Sequence, residues 1–311
     1  MKFDVIGFGA INLDKIYKTN KIVGSGGEGF ITDIKAFPGG SAANSITALS
    51  KLGLKTGYIG KIGSDEDGEF LLKSFENEGV NIDGIIKSKK GPSGHSVIFE
   101  DRLGEREIYV YPGSNDELEF EEIIIDYVKN TEALHLTSFI GERPFNAQKR
   151  LVELMSDLII TFDPGDIYAS KGLEKLIPIL ENTEVVFTNT SKLEKEKEII
   201  TKNNYEVASK ELINKGVKKV VVKLGSRGCF VTDSKESYHI EPYEVKVEGT
   251  TGAGDAFNAG FIYGNLKGRD LFQCGQLGNF VASRCITKSG AREGLPDREQ
   301  VEKFERSLIK N

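Results

Sequence analysis

The stretch EGTTGAGDAFNAGF, Glu248–Phe261, crowds glycine and alanine around one carboxylate, Asp255, and then runs straight into an apolar segment. Gly252, Ala253 and Gly254 have almost no side chain, so a large anion can approach their backbone N–H groups closely. A helix starting near Asp255 would direct its positive N-terminal end at that anion. An acid in such a place repels a bound phosphate, and catalysis supplies a reason for it. Asp255 can accept the proton of a hydroxyl that attacks a phosphoryl group lodged beside it. The plainer alternative is an ordinary helix cap after a glycine turn. Downstream, Ala256, Gly260 and Gly264 recur every four residues, which predicts close helix packing.

Outward from this turn, short β-branched runs recur along the chain: FDVIGFG, TGYIGKIG, EALHLTS, DLIITFDPG, EVVFTNT and KKVVVKLGSRG. Between them lie segments with helical spacing, at 44–52, 70–78, 145–155, 173–180 and 205–215. Strands alternating with helices predict an α/β fold with a mostly parallel sheet and helices on both faces. Ligands of such sheets bind at the carboxyl ends of the strands. Two segments break the rhythm. Residues 18–37 contain GSGGEG and no helical period, and 95–111 read as a hairpin around DRLG. They predict a small β-sheet built from about 15–37 and 92–112, projecting as a lid from a single domain over 1–311.

Near the start, Gly7-Phe8-Gly9-Ala10-Ile11-Asn12 follows a strand pattern but lacks the third glycine of a dinucleotide fingerprint. Extended chain follows, with Asn12 and Asp14 spaced to project from one side. Two polar groups at a strand end suit a polyhydroxy ligand. No P-loop sequence is present. PGGSAANSITALSKLG, Pro38–Gly53, reads as a glycine turn into a helix, with Ser41 or the residues just after it as the cap and Asn44 near the first turn. A loop-to-helix junction without a ligand is its bland reading.

The 311 residues carry 41 Lys and Arg against 47 Asp and Glu, a net charge of −6, without a long basic run. Nucleic acid and anionic membranes are therefore poor partners. Cys229, Cys274 and Cys285 are too few and too scattered for a disulfide framework or a zinc site, and fit a reducing compartment. With no secretory leader pattern and no apolar run long enough to span a bilayer, the expected location is the cytoplasm. His95, His135 and His239 show no metal-ligand spacing.

Pro38–Gly63 and Thr250–Phe261 together resemble the two signatures of the ribokinase-like carbohydrate kinases of the phosphofructokinase-B type. The resemblance covers nearly the whole chain and implies a kinase with ATP as phosphoryl donor and Mg²⁺ bridging its phosphates. It implies that Asp255 is the catalytic base and that the N–H groups of Gly252, Ala253, Gly254 and Asp255 form the anion hole. Asn12, Asp14, Gly39, Gly40 and Asn44 would bind the acceptor. Asn189, Lys223, Gly225, Ser226, Gly228 and Asn279 would line the nucleotide site, and the lids of two copies would pair in a homodimer. Two positions depart from the pattern. Lys192 stands where relatives often carry a Glu that helps organise Mg²⁺, with Glu194 the nearest acid, and Gly249 replaces an Asp used in binding a monovalent cation.

The acceptor expected from this reading is a small sugar or sugar-like polyol. Tyr109 and Tyr111 alternate as a strand does, and on a lid they could stack on a base, which keeps a nucleoside kinase in view. Their bland reading is packing within the lid or a dimer contact. Arg102 and Arg106 read as solvated turn residues or as readers of an acceptor phosphate. A sugar-responsive binding protein without catalysis is the third reading, and an intact Gly-Ala-Gly-Asp turn speaks against it.

Overall fold

In the computed structural model, which describes residues 2–102, 105–189 and 205–308, the β-branched runs become the strands of one large sheet. The strands are β1 (Phe3–Phe8), β2 (Asn12–Thr19), β3 (Ile31–Gly39), β4 (Thr56–Gly63), β5 (Ile85–Ser88), β6 (Gly94–Glu100) and β7 (Arg106–Tyr111). They continue as β8 (Thr131–Thr137), β9 (Ile159–Asp163), β10 (Val185–Asn189), β11 (Lys219–Lys223), β12 (Cys229–Asp233) and β13 (Ser237–Ile240). Nine of them pair in the order β13-β12-β11-β10-β9-β8-β1-β4-β5. All neighbours from β5 to β11 run parallel, and only β12 and β13 add antiparallel edges. The chain winds outward from β1 through β4 to β5, then returns to β8 and winds the other way. That reversal beside β1 is where an open parallel sheet leaves a crevice.

Helices cover both faces, as the alternation predicts. One apolar layer unites Ile46 and Leu49 of the Ser41–Lys51 helix with Phe261 and Leu277 of the helices Ala253–Leu266 and Leu271–Cys285. The opposite layer holds Phe145, Leu151, Ile179 and Leu212 from the helices Glu142–Leu154, Leu173–Leu180 and Tyr205–Asn214. The four-residue glycine spacing has the expected use. A Cβ at Gly260 would lie 2.4 Å from the Leu277 carbonyl oxygen, so only glycine admits the neighbouring helix so closely.

A second sheet of four strands, in the order β3-β2-β6-β7, projects from the carboxyl end of β1. The GSGGEG segment is the exposed loop between β2 and β3. β2 begins at Asn12, so the sheet reaches further back toward the main body than the expected start near residue 15. Buried Asn115 clamps the joint: its side-chain oxygen accepts from the Ile11 N–H at 2.9 Å, and its Nδ2 donates to the Ile11 carbonyl at 2.9 Å. Strand register sorts the sheet into two faces. Asp14 is paired laterally with Phe37 and Ser96, and Ser96 with Val110, so these share one face. Lys15, Val97 and Tyr109 are aligned on the other, as are Leu13, His95 and Tyr111. Among the described residues no helix is long and apolar enough to cross a membrane.

Candidate active site

The carboxyl ends of four parallel strands converge on one cleft. Thr137 closes β8, Asp163 closes β9, Asn189 closes β10 and Lys223 closes β11. Together with Ser41, Gly225, Gly254 and Asp255 they line a cavity of about 300 Å³. The glycine turn forms its floor. Gly252, at φ 77°, holds the left-handed conformation that caps the Ala253–Leu266 helix, and a Cβ there would sit 2.7 Å from Ala291. At Gly254 the missing side chain leaves open the space 3.4 Å from the Lys223 ammonium.

Asp255 lies in the first helical turn, yet it does not cap its own helix. Its carboxylate reaches across to the Ser41–Lys51 helix, where the Ser41 hydroxyl donates at 2.5 Å and Asn44 Nδ2 donates at 2.9 Å. The Ser45 hydroxyl donates to the Asp255 carbonyl at 3.0 Å, joining the two helix starts. Burial pushes the Asp255 carboxyl above its ordinary range, while the Ser41 and Asn44 hydrogen bonds and the Lys223 charge oppose that rise. Ser41 is not the helix cap that the sequence suggests. Gly40, at φ 104°, occupies that position without a side-chain bond, because the Ser41 hydroxyl is committed to Asp255.

Across the cleft, Lys223 is fixed by a triangle. Its Nζ donates to Asp163 Oδ2 at 2.7 Å and to Asn258 Oδ1 at 2.9 Å, while Asn258 Nδ2 donates to Asp163 Oδ2 at 2.8 Å. The half-buried ammonium therefore stands beside the glycine turn as a fixed positive charge. Sequence reasoning singled out neither Asp163 nor Asn258. Asp163-Pro164-Gly165 ends a strand with a turn, and Asn258 follows Asp255 by one helical turn; those were the available signals.

The residues expected on the acceptor side gather where the small sheet meets the main body. Asp14 stands against Gly39, where a Cβ would lie 2.2 Å from its Oδ2. Burial raises the Asp14 carboxyl to about 6, with the Asp255 charge adding to the rise and Ser96 and Arg292 opposing it. Asn12 Oδ1 accepts from Asn115 Nδ2 at 2.9 Å. Gly40 passes the Ala10 carbonyl so closely that a Cβ would be 2.2 Å from its oxygen. Tyr109 and Tyr111 occupy the sheet face opposite Asp14, where Tyr109 meets Phe99 at 6.5 Å and Tyr111 meets His95 at 5.2 Å. Arg106 lies on the Asp14 face, and its Nη1 donates to the Thr251 hydroxyl at 2.8 Å, so it is not a merely solvated turn residue.

The nucleotide-side candidates divide into two groups. Asn189, Lys223 and Gly225 line the cleft. Ser226 is exposed in the turn Gly225–Arg227, and Gly228, at φ 76°, packs on Ile240. Asn279 is not among the lining residues; its Nδ2 donates to the carbonyls of Ile240 and Glu241 at 3.1 and 3.0 Å, bracing the same strand end. Lys192 and Glu194 lie outside the described residues. Gly249 runs beside Lys288 and Ser289. His135 is buried against Thr161, and His95 and His239 pack on aromatic rings.

A glycine turn with a buried carboxylate on one side and a fixed ammonium on the other suits phosphoryl transfer to a hydroxyl. Residues 2–298 match the model of the pfkB family carbohydrate kinases. The chain belongs to that family. This carbohydrate kinase is 47% identical over 251 residues to a sugar kinase of Archaeoglobus fulgidus described as uncharacterized, covering 80% of the present chain and 98% of the relative. A solved ribokinase from Thermotoga maritima shares 27% identity with a TM-score of 0.84, covering 98% of this kinase and 99% of that chain. An E. coli structure described as a ribokinase II, in complex with ATP and Mg²⁺, has the same fold with a TM-score of 0.84 at 23% identity, covering 98% and 99% of the two chains.

Proposed function

We propose that this kinase transfers the γ-phosphoryl group of ATP to a hydroxyl of a small sugar or sugar-like polyol. The observation that carries the reading is Asp255, held by Ser41 and Asn44 at the mouth of the glycine turn and facing the Lys223 charge. Asp255 accepts the proton of the attacking hydroxyl. Gly252, Gly254 and Asp255 present N–H groups of the helix start to the transferring phosphoryl group, while the Ala253 N–H, assigned to the same anion hole, also donates to the Thr250 carbonyl at 3.3 Å. Asn189, Lys223, Gly225, Ser226, Gly228 and Asn279 are assigned to the nucleotide side, with Lys223 near the phosphates. The absent Cβ atoms at Gly225 and Gly254 leave room for them.

Among the described residues no group of three His, Cys, Asp or Glu could hold a metal. Mg²⁺ that rides mainly on the nucleotide phosphates, with Asp163 or Asp255 as the nearest carboxylates, fits this donor set. Bound there, it would neutralise phosphate charge.

Asn12, Asp14, Gly39, Gly40 and Asn44 are assigned to the acceptor. Their hydrogen-bonding groups and closely approached backbone suit adjacent hydroxyls. A nucleoside acceptor receives less support, because Tyr109 and Tyr111 face away from Asp14 and cannot stack on a base held there. A sensor without catalysis has no use for a carboxylate and a fixed ammonium on the two sides of the glycine turn. The small sheet serves as the lid, with the apolar side chains of Ile108 and Val110 exposed on its Asp14 face and free to cover the acceptor. Its other face exposes Ile34, Tyr109 and Tyr111 and pairs with the same face of a second copy.

The deciding experiment is turnover of Mg-ATP against a panel of free sugars, sugar acids, polyols, sugar phosphates and nucleosides, with Asp255→Asn as the control. One strong acceptor is expected, and Asp255→Asn is expected to lower kcat by roughly 10²–10⁴-fold with the fold retained. Near-normal turnover in the variant would remove Asp255 from the base role, and a nucleoside as the sole acceptor would overturn the sugar reading.

A further inference from the structure

Behind the acceptor residues lies a buried cation that the proposed chemistry does not use. Arg292 is only 7% exposed, in the segment that follows the Leu271–Cys285 helix. Its Nε donates to Asn44 Oδ1 at 2.9 Å, its Nη1 donates to the Ser74 hydroxyl at 3.2 Å, and its guanidinium lies over the Phe75 ring at 5.9 Å. A buried guanidinium is costly unless its surroundings compensate it. The carboxylates in its field are Asp14 of β2, Asp255 and Glu78.

The bond to Asn44 has a directional consequence. An amide side chain has one acceptor end and one donor end, and a half-turn about its last bond exchanges them. A guanidinium only donates, so Arg292 accepts one orientation of Asn44 alone, with Oδ1 toward itself and Nδ2 toward Asp255. The reversed amide would set Oδ1 against the Asp255 carboxylate and NH₂ against the guanidinium. We infer that Arg292 is a positioning residue for phosphoryl transfer: it locks the Asn44 amide so that it donates to Asp255. The inference rests on the kinase reading for its consequence in rate, although the amide lock exists in the free protein.

The pH consequence has a definite sign. Asp14 faces Ser96 of β6, Arg292 and Asp255, and its carboxyl is already raised to about 6, with Arg292 holding it down. Asp255 faces Ser41 and Asn44, Lys223 of β11 and Asp163 of β9. Loss of the Arg292 charge therefore moves the Asp14 carboxyl further up. Any step that needs both carboxylates ionised then switches on at higher pH.

The test compares Arg292→Met, which removes charge and fork, with Arg292→Lys, which keeps the charge. In the wild type, the acceptor found by the panel defines kcat/KM from pH 5 to 9. Arg292→Met is expected to lower kcat/KM by about 10²-fold, the scale of a misplaced catalytic group, with the acid limb shifted to higher pH. Arg292→Lys is expected to keep the wild-type limb while remaining slower, because an ammonium cannot reproduce the fork. A loss in Arg292→Met that follows its unfolding curve, with the acid limb unmoved, would mean a structural role and overturn the inference. If no acceptor is turned over, the kinase reading fails by itself, and the lock is read in the free protein from the ¹⁵N side-chain amide signal of Asn44. That signal is expected to shift and to exchange faster in Arg292→Met; an unchanged signal overturns the lock.

Discussion

The contact between Arg106 and Thr251 ties the tip of the small sheet to the glycine turn, and if that sheet is the lid proposed above, cutting the contact should change how often it closes. Arg106 Nη1 donates to Thr251 Oγ1 at 2.8 Å, while Nη2 lies 2.6 Å from Glu100 Oε2. A hydrogen bond to a charged group contributes about 1.5–3 kcal/mol when shielded. The Arg106 side chain is 39% exposed and shares its charge with Glu100, so screening reduces the contact to about 0.5–1 kcal/mol. That energy corresponds to roughly a 2–5-fold change in the closed population. Arg106→Ala and Thr251→Val should each raise the ratio of acceptor-free ATP hydrolysis to transfer by about that factor. The double variant should do little more than either single change, because one contact is lost only once. An unchanged ratio in both single variants, or effects that simply add, would refute the latch.

Three further outcomes are expected. Lys223→Met removes the ammonium beside Asp163, which is 5% exposed and keeps its bonds from Asn258 and Gly165, and should cost about 3 kcal/mol in urea unfolding, with Asp163→Asn in the same chain restoring part of it. It should also move the acid limb of kcat/KM upward, since Lys223 holds the Asp255 carboxyl down; a limb left in place would separate that charge from the base. For assembly, sedimentation should give a dimer for the wild type and a monomer for Ile34→Lys, a residue 61% exposed on the small-sheet face opposite Asp14. A monomeric wild type at micromolar concentration would dismiss pairing through the lid.

What could be read from the chain without its structure followed from how local each signal is. The run TGYIGKIG becomes β4 without a change of bounds, and the hairpin around DRLG becomes β6 and β7. Asp255 was legible because glycine, alanine and acid lie side by side in one turn. Its partners Ser41 and Asn44 stand more than two hundred positions away, and only the sheet order brings them together. Asn258 and Asp163 are paired across 95 positions, and Arg292 and Asn44 across 248. Single polar residues of this kind carry no local pattern that separates them from solvated ones. Ser41 shows the same limit from the other side: its place suggests a cap, and a tertiary bond to Asp255 competes for the hydroxyl and wins.

The joint at Asn115 has one more implication. Asn12 and Asp14 belong to the projecting sheet, whereas Asp255, Lys223 and the glycine turn belong to the main body, and the chain passes between them at Ile11, where Asn115 grips both sides of the backbone. On the proposed assignment, Asn12, Asp14 and Gly39, which would help choose the molecule to be modified, lie on a different module from the groups that would modify it, with Asn44 on the main body where the two meet. A lineage could retarget such a protein by rewriting β2, β3, β6 and β7 while leaving the reaction machinery as inherited. The hinge between the two modules would be the part least free to vary.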